Sequence, residues 1–333
     1  PWGLSSHKGG DVTHIRCYGE ILLYAGTGSP ELAAQIATNL DRRLCDREVI
    51  TYPNSNLFVR LGSSVRGQDT FIIQTTSAPT NDNLMELLIF IDTLKRSSAG
   101  RVTAVIPYLG YARSDKKDQP RIPITARLVA DMIQAAGADR YVTLDLHAGQ
   151  IQGFFSIPGD VISAFPLLAD YMRKKDLQNA VVVAADLGFA KKARAFATEL
   201  DLPVAFVEKR RMDTRTEVLT VIGDVQGMDT IIVDDEVDTA GTICDAASAL
   251  AKAGAHDIYG CFVHPILSAD AVEQLRRQPF KELVMTNSVP ISPEKWLPNM
   301  TIISVSSLLS GVIQRVHDGR SVGEMFAPYH GYS

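Results

Sequence analysis

Two stretches of the chain follow one plan. A helix-like run from Thr125 to Gly137 leads into "GADRYVTLDLH", ending at His147. A second from Thr242 to Gly254 leads into "GAHDIYGCFVH", ending at His264. The offsets agree at three anchors (242 − 125, 254 − 137 and 264 − 147 are each 117). Any two helix–strand units look alike, but three anchors in register point to duplication of one scaffold. Around them, β-branched apolar runs at 21–25, 70–75, 101–106, 140–146, 179–186, 228–235 and 257–264 alternate with amphipathic runs. The first amphipathic run opens at Ser29-Pro30-Glu31; the others cover 81–97, 122–137, 188–200 and 241–254. This alternation predicts an α/β fold of two similar domains, each a mostly parallel sheet flanked by helices. Ligands of such sheets sit at the C-terminal strand ends. The changeover is expected within "SIPGDVISAF" (156–165), giving units 18–160 and 161–326.

With 333 residues, 46% of them hydrophobic, there is material for two cores. A formal net charge of −5 argues against a nucleic acid as partner. No apolar run is long enough to span a membrane and no signal peptide is visible, so no membrane association is expected. Cys17, Cys45, Cys244 and Cys261 lack metal-ligand spacing and read as reduced thiols of a cytoplasmic protein. The polar, Gly-rich residues 1–14 read as a flexible tail.

The loops before the two matched helices carry opposite charge. "DDEVDTAGT" (234–242) ends an apolar strand in carboxylates and turns through small residues into a helix. Backbone N–H groups of Asp238, Thr239, Ala240, Gly241 and Thr242 at that helix start form a nest for a phosphate. The small side chains of Ala240 and Gly241 stay out of its way, and the two threonines add hydroxyl donors. Asp234 and Asp235 can accept from sugar hydroxyls or hold the water shell of a metal. Helix capping alone needs one such residue, not three aspartates. The other loop, "PYLGYARSDKKDQPR" (107–121), sets Arg113, Lys116 and Lys117 beside a strand end, where arginine can grip phosphate through two N–H groups. "YPNSN" (52–56) offers Tyr52 for stacking and Asn54 and Asn56 for edge contacts to a purine; a strand end and turn would look the same.

These motifs carry a resemblance. "IIVDDEVDTAGT" (231–242) resembles the ribose-phosphate-binding motif shared by phosphoribosyltransferases and ribose-phosphate diphosphokinases (PRPP synthetases). Residues 105–155 are similar to the signature of the diphosphokinases almost end to end, and the likeness extends over about 20–326. It implies two phosphoribosyltransferase-like domains, with ATP mainly on the first and ribose 5-phosphate on the second. The implied reaction gives PRPP and AMP. It implies ATP contacts from Tyr52, Asn54, Asn56, Arg113, Ser114, Asp118 and His147, and a ribose 5-phosphate site at Asp234, Asp235 and 238–242. Mg²⁺ would be held near His147 and Asp186, and Lys209 and Arg211 of "VEKRRMDTRTEV" (207–218) match the two cations of a mobile catalytic loop.

The resemblance also implies a homo-oligomer, a dimer-based hexamer in which Tyr52 and Arg113 meet across a subunit contact. Phosphate and ADP would act as effectors at Ser64, Arg66 and Ser321. The chain departs from the family's pattern at Tyr52 (commonly Phe), Asn56 (commonly Glu), Phe189 (commonly Gly) and Gly323 (Ser in some members). Phe189 keeps a noncatalytic paralogue open as an alternative. The 231–242 motif alone leaves open a phosphoribosyltransferase that consumes PRPP.

Overall fold

The computed structural model describes residues 18–175, 177–212 and 216–326, with the backbone alone at 209–212 and 216–218. The tail expected over 1–14 lies outside the described residues.

The chain begins with β1 (Ile21–Ala25), α1 (Pro30–Asn39) and an antiparallel hairpin of β2 (Arg47–Thr51) and β3 (Leu57–Leu61). It continues through β4 (Asp69–Ile73), α2 (Thr80–Arg96), β5 (Arg101–Ile106), α3 (Thr125–Ala136), β6 (Arg140–Leu144) and β7 (Gly159–Ile162). Strands β1-β4-β5-β6-β7, in that order, form a wholly parallel sheet. From α4 (Phe165–Arg173) onward the chain builds a second sheet. Its elements are β8 (Ala180–Ala184), α5 (Ala190–Leu200), β9 (Val204–Met212), β10 (Thr216–Ile222), β11 (Asp229–Val237) and α6 (Gly241–Lys252). There follow β12 (Ile258–Pro265), α7 (Ala271–Arg276), β13 (Phe280–Thr286), β14 (Met300–Ile303) and α8 (Ser306–His317). The order is β10-β9-β8-β11-β12-β13-β14, parallel except for β9 against β10. The repeated helix–strand units α3–β6 and α6–β12 occupy matching places, each strand beside the one that precedes its helix.

Central strands such as β4, β8 and β12 are buried along their whole length. That is why they read as unbroken apolar runs rather than alternating ones. The helices cover the sheets in layers. Helices α2 and α3 pack on the outer face of the first sheet, and α6 and α7 on the outer face of the second. Between the sheets lies one shared core, fed by α1, α4, α5, α8 and strands of both sheets. Helix α8, the last α-helix among the described residues, returns to the first sheet. The Arg101 guanidinium donates to the carbonyl of Val316 (2.9 Å), and buried Asp69 accepts from both Arg101 (2.8 and 2.5 Å) and His317 Nδ1 (2.9 Å).

Two expectations need correction. Strand β11 continues to Val237 instead of ending at Asp235, because Glu236 and Val237 pair with His264 and Pro265 of β12. The second concerns the backbone of Lys209 and Arg211. It lies in β9, opposite Leu219 and Glu217 of β10, so both belong to the facing ends of a hairpin. Their side chains lie outside the described residues. Cys45, Cys244 and Cys261 are free thiols. Among the described residues no helix is long and apolar enough to cross a membrane.

Candidate active site

The C-terminal ends of β5, β6, β8 and β11 converge on a cleft between the two sheets. It contains a cavity of about 270 Å³ lined by Arg113, His147, Asp186, Asp234, Asp235, Glu236 and residues 238–243. Thus residues from both units that the sequence singled out meet in one place.

The turn expected to form a phosphate nest leads directly into α6. Ala240 adopts a left-handed conformation (φ 65°, ψ 0°), which turns the chain into α6 and aligns its first N–H groups. Such a backbone costs a non-glycine residue roughly 1–2 kcal/mol, a strain characteristic of ligand-binding loops. A methyl group at Gly241 would meet no protein atom within 4 Å. The fold therefore does not require glycine there, and the backbone at this position is open to close approach. Asp238 is held in place by hydrogen bonds from Ser268 Oγ and from Arg113 (2.8 Å).

The cationic loop after β5 crosses to this nest. Arg113 pairs with Glu236 as well as with Asp238. Ser114 serves the loop itself: its Oγ accepts from the N–H of Thr125 at the start of α3 (3.2 Å). Gln150 ties buried Asp115 to the segment after β6. Asp118 is exposed. Tyr52, Asn54 and Asn56 occupy the exposed turn of the β2–β3 hairpin and do not line the cavity that holds Arg113.

His147 of the first unit faces Asp235 of the second, Nδ1 to Oδ2 at 3.1 Å. This hydrogen bond raises the imidazole pKa against the opposing effect of burial. Burial pushes the Asp235 carboxyl up, yet the bond to His147 and the charge of Lys192 (3.8 Å away) outweigh it and bring the group down to about 2. Its neighbour Asp234 goes the other way, raised first by burial and then by the charge of Asp235. Two adjacent carboxylates thus have different proton affinities in one strand. Asp186, at the end of β8, accepts from the N–H of Phe189 (3.0 Å) through one oxygen.

Phe189 is buried, and its ring packs at 5.7 Å from that of Phe165 in the shared core. With φ at −89° this position needs no glycine. The departure therefore fills the core and leaves the cleft open.

Sequence reasoning missed Glu236, Lys192, Ser268 and His264. Glu236 stands inside the 231–242 motif, and that position was the available signal; its burial and its pairing with Arg113 appear only in the structure. Lys192 and His264 gave no local signal, because their partners lie 43–46 and 119 positions away.

Ser64 and Arg66 lie just before β4, and Ser321 just after α8; all three are exposed. The contact of Asp69 with His317 brings both segments to the N-terminal strand ends of the first sheet, opposite the cleft. Ser64 Oγ lies 3.5 Å from the N–H of Arg66, and the carbonyl of Ser321 accepts from Arg315 (2.7 Å).

Fold and cleft together define an α/β protein of paired parallel sheets, with an anion nest on one and a cationic loop reaching it from the other. Sequence comparison gives the family. Residues 21–137 match the model of the N-terminal domain of ribose phosphate pyrophosphokinase, and 212–327 that of the phosphoribosyl synthetase-associated domain. The chain is 49% identical over 306 residues to a ribose-phosphate pyrophosphokinase of Caldanaerobacter subterraneus subsp. tengcongensis, covering 91% of this chain and 97% of the relative. To that of Campylobacter jejuni it is 46% identical over 305 residues, covering 91% and 98%. The crystal structure of phosphoribosylpyrophosphate synthetase from Mycobacterium smegmatis superposes with a TM-score of 0.86 at 42% identity, covering 90% of this chain and 100% of that one. The chain belongs to the ribose-phosphate pyrophosphokinase family.

Proposed function

We propose that the enzyme transfers the β,γ-diphosphoryl group of ATP to the anomeric hydroxyl of ribose 5-phosphate, giving PRPP and AMP. The new bond joins the anomeric oxygen to the β-phosphorus. The bond from the β-phosphorus to the bridging oxygen of AMP breaks in line, and the hydroxyl proton leaves. The observation that carries this reading is the phosphate nest at 238–242 beside the His147–Asp235 contact. The whole-length likeness to pyrophosphokinases favours it over a phosphoribosyltransferase, and the inward packing of Phe189 favours an active enzyme.

In this reading the nest holds the 5-phosphate, and Asp234 and Asp235 receive the ribose hydroxyls. Arg113, Ser114, Asp118 and His147, with Tyr52, Asn54 and Asn56, serve ATP. Lys209 and Arg211 stabilise charge on the transferring group, since such reactions depend on positioning and charge neutralisation. Mg²⁺ fits beside His147 and Asp186. Asp186 keeps one carboxylate oxygen unused by Phe189, and His147 keeps its Nε2. The cavity offers no tight protein cage. Among the described residues, three metal-ligating side chains converge within 4.8 Å only at Asp229, His256 and Asp257, at the opposite strand ends. One or two protein ligands, with water and substrate phosphates completing the shell, is the usual arrangement for magnesium. The ion would neutralise phosphate charge during transfer. We further propose a homo-oligomer, a dimer-based hexamer, in which a neighbouring copy brings Tyr52 to Arg113, and effector binding of phosphate and ADP at Ser64, Arg66 and Ser321.

The test is to incubate purified protein with ATP, magnesium and ribose 5-phosphate and to identify the nucleotide formed. AMP should appear in step with sugar consumption. ADP as product, or equal AMP without the sugar, would overturn the reading.

A further inference from the structure

Two side chains of the second unit grip consecutive carbonyls of the first, immediately before His147. His264, at the end of β12, is 3% exposed, with Nε2 3.3 Å from the carbonyl oxygen of Asp145. A carbonyl only accepts, so Nε2 carries the proton. Nδ1 then accepts from Ser288 Oγ, 2.9 Å away. One residue on, Lys192 of α5 donates to the carbonyl of Leu146 (3.2 Å) and lies 3.8 Å from the Asp235 carboxylate. Its ammonium also sits 5.3 Å from the centre of the Phe189 ring, which fixes the side chain from a second direction.

The gripped backbone is already constrained. Asp145 has a φ of 29°, in the left-handed region. Its N–H donates to Ile162 (2.9 Å), and its carboxylate accepts from Ser163 Oγ (2.8 Å) and from the N–H of Ala164 (2.6 Å). Those partners belong to the first unit and to the changeover. They fix the turn, but nothing in them sets where His147 stands relative to the second sheet. His264 and Lys192 supply that registration, because both are rooted in the second unit that also carries Asp235.

We propose that His264 and Lys192 form a positioning clamp that holds His147 of the first unit against Asp235 of the second, and so aligns the two substrate sites. Neither is a catalytic residue: His264 acts through the Asp145 carbonyl, and Lys192 through the Leu146 carbonyl and through its charge beside Asp235. The proposal rests on the diphosphotransfer reading, in which alignment across the cleft is the main catalytic requirement.

The test uses Lys192→Met, Lys192→Arg, His264→Leu and His264→Gln in the full-length enzyme, each also in a His147→Ala background. Lys192→Met and His264→Leu should lower kcat about 10- to 100-fold, the scale of an ångström-sized misplacement. For His264→Leu the KM for ribose 5-phosphate should stay within about 2-fold, since both the nest at 238–242 and the Lys192–Asp235 pair are untouched. Lys192→Arg and His264→Gln, which keep a donor, should recover most of the rate. In the His147→Ala background the His264→Leu loss should vanish and the Lys192→Met loss should shrink to what its charge beside Asp235 contributes, because effects that pass through one residue are non-additive. Full losses in that background, or a parallel rise in KM for His264→Leu, would overturn the clamp. Crystal structures of Lys192→Met and His264→Leu give a readout independent of turnover. The His147 ring should leave Asp235, and its retention in both would refute the clamp even if the wild-type reaction were some other one.

Discussion

The interior of the site contains two titrating groups whose proton affinities are displaced in opposite directions. Burial lowers the His264 imidazole to about 4, against smaller upward effects from the charge of Asp235 and the carbonyl of Asp145. Burial raises the Asp145 carboxyl to about 6, partly offset by the N–H of Ala164 and the charge of Lys192. Between about pH 6.5 and 4 the unfolded chain protonates this histidine while the native protein does not, so its contribution to stability is lost as pH falls. The raised carboxyl works the other way, since native Asp145 takes its proton before the unfolded chain does. In the wild type the two nearly cancel. His264→Gln removes one of them. The variant's deficit in urea midpoint should therefore shrink between pH 7 and pH 4.5, by an amount worth on the order of 2 kcal/mol. Equal deficits at both pH values would show that His264 is not held neutral by its surroundings.

In the proposed reaction, substrate binding depends on the junction of β11 and α6. Its form was legible because its pattern is local: carboxylates, small residues and hydroxyls within nine positions mark the turn from strand into helix. The helix–strand repeat was legible for the same reason, and α6 begins within one residue of expectation. Less visible was the end of β11, since its last two residues are charged or bounded by charge and gain their strand character only from pairing with β12. The adenine-side assignment is the least settled by local pattern. Tyr52, Asn54 and Asn56 stand on a hairpin turn and do not line the cleft. Gly241 offers a clean test of the nest. It is the first residue of α6, is not among the glycines with positive φ, and has open space where a side chain would go. Gly241→Ala should leave the melting temperature unchanged or slightly higher, a gain of about 0.4–1 kcal/mol from the stiffer unfolded chain. The same methyl group should raise the KM for ribose 5-phosphate roughly 10-fold or more by obstructing the phosphate. An unchanged KM would place the phosphate elsewhere.

At the scale of the molecule, the duplicated plan suggests two independent units, and the packing says otherwise. One core lies between the sheets, and α8 closes it from the far end of the chain. No local pattern reveals this, because an amphipathic helix does not state which sheet its apolar face will meet. Ile313 of α8 is fully buried in that core, and His317 at the helix end joins the buried cluster of Asp69 and Arg101 in the first sheet. A shared core transmits the loss of any one contact to both sheets. Ile313→Ala should cost about 2–5 kcal/mol, the usual range for deleting that much buried side chain. The loss should move one cooperative unfolding transition, seen together by a probe in each unit and compared at fixed protein concentration so that assembly is held constant. If instead the transitions separate and only one of them shifts, each sheet has its own stability, and the cleft between them is a contact of two independently folded domains.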